Sequence, residues 1–423
     1  MATLLLNARL VDPVAGTVEP GEIRIEDGRI APPGPAAEVV DCGGRPLAPG
    51  LVDWGVKVGE PGERHRESFR SAGLAAAAGG VTTIVCRPDT DPVIDAPETL
   101  QHVADRARRD APVRVLHMAA LTRGREGRQM VEMGFLRDGG AVAFTDGTHV
   151  TEDTRTLSRC LTYAASLGAL VVGHPQDPGL SRGACITAGP FATLLGLPGV
   201  APLAERMGME RDLALVEATG VAWHADQVTT AAGLAPLRRA KAAGLDVTAG
   251  TSIHHLTLNV LDVADYRTFF RIAPPLRDED DRIATVEALA DGTIDVISTM
   301  HTPQDEESKR LPFEVAAPGA VGLETLLPAA MRLYHAGHLT LPALWRAMSL
   351  NPARRLGLEA GTLAVGAPAD LVLFDPDAPF VLDRWTLASK SKNTPFDGAR
   401  MQGRVLGTWV GGARVWDREA ARA

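Results

Sequence analysis

The sequence predicts an α/β protein: a (β/α)8 TIM barrel with a small β-sandwich built from both termini. Three observations carry this. Both ends of the chain read as short alternating strands with turn punctuation. The long middle repeats strand, then helix. That middle, about 300 residues, accommodates eight such units. The predicted division gives 1–50 and 356–423 to the sandwich and 51–355 to the barrel.

Taken in order, "TLLLNARLV" and "GEIRIEDGRI" alternate apolar and polar residues, and Asp27-Gly28 is a hairpin turn. In the middle, "VTTIVCRP" precedes a helix around 96–109, "VRVLHMAAL" one around 126–135, and "AVAFTD" one around 151–167. "ALVVGHP" comes before a helix near 209–219 and "VAWHAD" before one at 230–243, with "LDVTAGT" and "IDVISTM" continuing the series. "ADLVLFDPD" and "RVLGTWVGGARVWD" close the chain as strands, with Gly411-Gly412 as a turn. An open doubly wound sheet competes with the barrel, but no GxGxxG opens its first crossover.

Composition narrows the function. The chain has 423 residues, 45% hydrophobic and 22% charged, with a net charge of −9. It offers no basic stripe for nucleic acid or an anionic membrane, and no apolar run of transmembrane length. The opening "MATLLLNARLVDP" is too soon interrupted by Arg9 to read as a signal peptide. Cys42, Cys86, Cys160 and Cys185 lie far apart and read as reduced thiols of a cytoplasmic protein.

In a barrel, chemistry sits at the C-terminal ends of the strands. Lys57, Asp89, Asp146, His174, His224, Gln227, His254, His255, Met300 and His301 fall there. Imidazoles and a carboxylate at successive strand ends could form a zinc site. The competing reading is that these histidines hydrogen-bond to neighbouring loops. Composition and spacing leave both open.

At this point the chain resembles a known family. "APGLVD", "EPGERHRESFRSAGLAAAAGGVTTIV", "RPDTDPVID", "GAVAFTD", "GHPQD", "GLPGVAPLAE", "HHLTL", "PPLRDEDDR", "GTIDVISTMHTP", "GLETLLP", "NPARRLGL", "GAPADLVLFDPD" and "SKNTPF" together look like a bacterial long-chain dihydroorotase of the amidohydrolase superfamily. The resemblance covers nearly the whole chain. It implies a barrel with a β-sandwich side domain and a binuclear zinc site.

The departures from that family are as informative. Its first strand carries His-x-His, both zinc ligands, then an Arg that grips the substrate carboxylate. Here those slots hold Gly55, Lys57 and Gly59. Asp146 and His174 match ligand positions, but the next ligand His falls on Gln227, with His224 three residues early. The Asp that is both ligand and base falls on Met300. Two substrate-binding Asn positions hold Asp89 and Ala273, and Gln304 stands where the family has a second His.

Such hydrolysis needs a Lewis acid, a metal-bound hydroxide and a proton-shuttling carboxylate. Glycine offers no donor, and methionine cannot carry a proton. Asp146 and His174 alone fall short of the three ligands a catalytic zinc keeps. No cofactor and no catalytic residue are therefore expected, with Asp146 and His174 as residual ligands only. The resemblance suggests the inactive dihydroorotase-like subunit that assembles with the catalytic chains of aspartate transcarbamoylase in pyrimidine biosynthesis, as a hetero-oligomer or homo-oligomer. The alternative is an active zinc-dependent cyclic amide hydrolase with a rewritten site, His254, His255 or His301 completing it.

Without a metal, Asp146 needs a cation, since an unpaired buried charge is costly. Lys57 could supply it, or could snorkel to solvent at the barrel mouth. "KSKNTPF" reads as a loop packed on the barrel, or a partner contact. "RDEDDR" reads as a solvated helix start with Asp278 as cap.

Overall fold

The computed structural model describes residues 2–420. Five strands open the chain: β1 (Thr3–Asp12), β2 (Thr17–Glu26), β3 (Arg29–Ala31), β4 (Glu38–Asp41) and β5 (Pro46–Pro49). Asp27 and Gly28 both take positive φ (50° and 77°) between β2 and β3, the backbone of a tight hairpin turn. β1 carries a bulge between Leu5 and Ala8, where Asn7 has φ 55°, so these two buried residues stand three apart instead of two.

The middle begins with β6 (Leu51–Val56), α1 (Phe69–Ala78), β7 (Val81–Cys86), α2 (Pro97–Asp110), β8 (Arg114–His117), α3 (Met133–Asp138) and α4 (Thr154–Ser166). It continues through β9 (Val171–Gly173), α5 (Pro178–Ser181), β10 (Ile186–Thr187), α6 (Pro190–Leu195), β11 (Gly199–Val200) and α7 (Leu203–Thr219). Then come β12 (Trp223–Ala225), α8 (Ala231–Ala242), β13 (Val247–Ser252), α9 (Ile253–Thr257), α10 (Glu279–Ala290) and β14 (Val296–Ser298). Every residue of β6 and β7 is buried, as expected for parallel strands covered on both faces.

Seven of these strands form two parallel sheets, β6-β7-β8 and β14-β13-β12-β9, and β10 pairs with β11 in a separate parallel ladder. The segment 142–145 spans one gap between the two sheets, with Phe144 bridging Ala119 and Val171 in parallel. Across the other gap, the Thr299 amide donates to the Asp53 carboxylate at 2.8 Å, and the Lys57 amide to the His301 carbonyl at 2.8 Å. One apolar cluster gathers Trp54, Val85, Val172 and Val296 from strands of both sheets, with Met118 and Ala143 from the segments beside them.

The chain closes with β15 (Leu371–Val381), β16 (Arg400–Val410) and β17 (Ala413–Asp417). They join the opening strands in one sheet, ordered β17-β16-β15-β5-β1-β2-β3, with β4 on β1. Gly411 and Gly412, φ 53° and 79°, turn β16 into β17. Trp345 fastens this sheet to the middle. Its indole donates to the Pro49 carbonyl at 2.8 Å, and its ring stacks on Phe374.

Three local expectations change. The helix predicted around 126–135 is a loop followed by the short α3. Gly124, Arg125 and Gly127 all take positive φ, which breaks a helix there. "AVAFTD" contributes one bridging residue, Phe144, instead of a full strand. The excursion from α5 to β11, unpredicted, returns to the strand ends. Asp278 does cap α10, accepting from the Asp281 amide at 3.0 Å. Arg277, however, is not solvated: it is 2% exposed, 3.5 Å from the fully buried Glu205.

Candidate active site

A cavity of about 170 Å³ lies at the strand ends. Lys57 enters from β6 and Arg87 and Asp89 from the end of β7; Gln227, His254 and Met300 follow β12, β13 and β14. The structure thus brings together Lys57, Asp89, Gln227, Ala273 and Met300 of the expected positions. Asp146 and His174 instead share a smaller space of about 30 Å³ beyond it.

Two backbone positions explain why this chamber is tight. Gly55 has φ +80°, and a Cβ there would stand 2.5 Å from Met300 Sδ. The Met300 thioether therefore fills the space a side chain at 55 would need. Met300 itself has φ 48°. At Gly59 a Cβ would stand 2.3 Å from the Glu63 carbonyl oxygen, and the Glu63 amide donates to the Gly59 carbonyl at 2.6 Å. The loop has folded onto the slot, leaving no room for a long side chain.

The charges pair locally. Lys57 Nζ lies 2.7 Å from Glu63 Oε2 and 4.0 Å from Asp89 Oδ2. Arg87 donates to both Asp89 oxygens at 3.3 Å and to Thr302 Oγ1 at 3.2 Å. Burial pushes the Asp89 carboxyl up, but Arg87, Lys57 and Arg125 outweigh it and hold it below its ordinary range.

Neither expectation for Lys57 survives. It reaches Glu63 rather than Asp146 or bulk water. Asp146 is satisfied without a cation: its carboxylate accepts from the Leu121 and Thr122 amides at 3.0 Å and from Thr122 Oγ1 at 2.6 Å. Burial still leaves its carboxyl raised. Backbone amides following β8 take over the role assigned to the ammonium.

The histidines do not converge. His224 is packed under Trp54 with Nδ1 on Thr248 Oγ1 at 2.8 Å, and burial holds it well below its ordinary value. His255 bonds Ser252 Oγ at 2.7 Å and the Pro274 carbonyl at 3.1 Å. His254 stacks on Phe396, its Nε2 buried without a partner, and burial lowers it to about 4. His174 is likewise lowered to about 4, by burial and then by Arg277 and Arg87. His301 accepts from the Gly322 amide through Nδ1 at 3.2 Å, and its Nε2 lies 3.5 Å from Glu67 Oε2. Among the described residues, no three His, Cys, Asp or Glu side chains are grouped so as to hold a metal ion. The residues present do not fit a binuclear metal centre.

Sequence reasoning missed Arg87, Glu63 and the fully buried Glu67–His301 pair. Arg87 stands two residues before Asp89, and a carboxylate replacing an amide was the available signal that a cation lay nearby. Glu67 gave no signal, since apart from nearby Ser71 its partners His301 and Ser389 come from two distant segments. "KSKNTPF" packs as the loop reading expects: Ser391 Oγ donates to the Arg66 carbonyl, and Asn393 Nδ2 to Thr302 and Gly319. Gln304 lines the chamber and donates to the Pro318 carbonyl at 2.8 Å. All four cysteines are buried and free. No helix of the described residues is long and apolar enough to cross a membrane.

Parallel strand–helix units with a polar chamber at the strand ends, and a sheet made from both chain ends, define an amidohydrolase-type α/β protein. The chain belongs to the dihydroorotase-like family of amidohydrolases. Residues 44–232 match the family described as Dihydro-orotase-like, and 320–416 match the Amidohydrolase family. A dihydroorotase of Pelotomaculum thermopropionicum is 40% identical over 428 residues, covering 100% of each chain. A dihydroorotase-like protein of Pseudomonas putida is 40% identical over 419 residues, covering 97% of this chain and 98% of the other. The L-hydantoinase (dihydropyrimidinase) from Arthrobacter aurescens matches with a TM-score of 0.89 at 25% identity, covering 98% of this chain and 96% of that one. These relatives carry the names of cyclic amidohydrolases, and that is the type of activity the family would bring to this chain.

Proposed function

We propose that this chain is a catalytically inactive dihydroorotase homologue that serves as a structural subunit for the catalytic chains of aspartate transcarbamoylase, in the cytoplasm. The observation that carries the inactivity is the Gly55–Met300 contact. Where the resemblance implies a ligand histidine and a base, the chain has a bare backbone and a thioether filling the gap. Gln227 adds no zinc ligand, Gly59 no carboxylate clamp, and Asp89 puts negative charge where an anionic substrate would bind. The partner follows from the resemblance alone. In this reading the two parallel sheets, joined by Phe144 and by the β6–β14 hydrogen bonds, are one eight-stranded barrel over 51–355. The segments 1–50 and 356–423 then form the side domain.

The test is direct. Purified chain should hydrolyse neither dihydroorotate nor hydantoins above background, and elemental analysis should find fewer than two zinc ions per chain. Mixed with aspartate transcarbamoylase, it should co-elute as a complex larger than either protein. Metal-dependent turnover abolished by His174→Ala would overturn the inactivity. Independent elution at micromolar concentration, with no effect on the transferase, would overturn the partner.

A further inference from the structure

The chamber opens into a larger vestibule of about 710 Å³, the two sharing Thr148, Ala273 and Pro318. This size suits a small ligand. Its wall contains Arg271, only 9% exposed, whose guanidinium finds no carboxylate among the described residues. Nη1 reaches the carbonyl of the next residue, Ile272, at 3.3 Å, and Nη2 reaches the Ala184 carbonyl at 3.5 Å. Nε is buried without any partner. An arginine buried this way is costly unless something satisfies it.

A second cation lies behind it. Lys309 is 5% exposed and gives its ammonium to the carbonyls of Thr268, Arg271 and Ala317, again with no carboxylate. Burial, and then Arg271, lowers Lys309 to about 7. Arg125 also lines the vestibule: its guanidinium donates to the Asp146 carbonyl at 3.0 and 2.9 Å and interacts with the Asp89 and Asp146 carboxylates by charge alone. The acids of the wall are mostly engaged. Glu152 holds Arg182 at 2.5 Å, and both Asp153 oxygens cap α4. Glu126 also lines the wall, without an ion pair among the described residues, so the arginines Arg125, Arg128, Arg182 and Arg271 outnumber the three carboxylates by one.

We propose that the vestibule binds a small metabolite through an oxyanion group, carboxylate or phosphate, received by Arg271 with Arg125 and Arg128 contributing. The planar guanidinium fork suits either oxyanion. This inference stands apart from the inactivity and from the partner, since it requires neither hydrolysis nor assembly.

The full chain is titrated with succinate and, separately, with inorganic phosphate, by thermal unfolding and calorimetry. At least one probe should raise Tm saturably below about 10 mM, within the range of weak specific binding. Succinate alone assigns a carboxylate ligand, and phosphate alone a phosphate ligand. Arg271→Met should abolish the shift while raising the ligand-free Tm, because an unpaired buried charge is removed. The exposed Arg128→Glu, which leaves the core untouched, should weaken binding at least several-fold. No saturable shift with either probe, or unchanged affinity in both variants, overturns the proposal.

Discussion

Gly55→Ala tests the contact that closes the chamber. The backbone there has φ +80°, which costs an L-residue about 1–2 kcal/mol. The new methyl would stand 2.5 Å from Met300 Sδ and 3.2 Å from Cε, an overpacking worth about 1–3 kcal/mol. Together the substitution should destabilise the fold by about 2–5 kcal/mol. Met300→Ala alone removes a side chain that is 7% exposed and should cost about 2–5 kcal/mol. In the double variant the methyl at 55 enters space the thioether has left. The two costs should therefore fall short of additivity by about 1–3 kcal/mol. Urea denaturation of the four proteins measures this coupling. A single-variant cost near zero, or strict additivity, would refute the claim that Met300 fills the slot above Gly55. If the claim holds, Gly55→His alone cannot rebuild a ligand: the imidazole has nowhere to go until Met300 moves.

Three other outcomes follow from the charges. Asp53 is buried, and burial pushes its carboxyl from 3.8 to about 7; the native state binds the extra proton, so its contribution declines as pH rises between those values. Wild type minus Asp53→Asn stability should fall across that window by up to about 4 kcal/mol, and a flat difference in pH-dependent denaturation would count against the assignment. Glu67→Ala takes a buried acceptor from Ser71, Ser389 and His301 and should cost about 1–3 kcal/mol, with His301→Ala costing less in that background than alone; equal costs in both backgrounds would argue against coupling. Lys57→Met should cost at most about 1 kcal/mol, because Arg66 still pairs Glu63 and Arg87 still neutralises Asp89; a larger loss in thermal unfolding would point to an unrecognised role for Lys57.

The sequence by itself determined what rests on local pattern. Period-two alternation and the Asp27-Gly28 and Gly411-Gly412 turns marked the strands at both ends, because turn backbone is written in the residues that tolerate positive φ. Apolar runs followed by amphipathic segments marked the parallel units and put Lys57, Asp89, Gln227 and Met300 at strand ends. The replaced positions were legible one by one, since a glycine or methionine plainly lacks a ligand's donor. Only the tertiary structure decided how the vacated space was filled. That Met300 lies over Gly55, that Glu63 turns back onto Gly59, and that Lys57 chooses Glu63 over Asp146 are matters of ångströms between segments, which no spacing in the chain specifies. Asp146 makes the physical reason plain. Its charge demanded a partner, and charge alone suggested an ammonium. The fold supplied two backbone amides and a threonine hydroxyl following the neighbouring strand instead, because dipoles already fixed in place satisfy a buried carboxylate without ordering a long, flexible side chain.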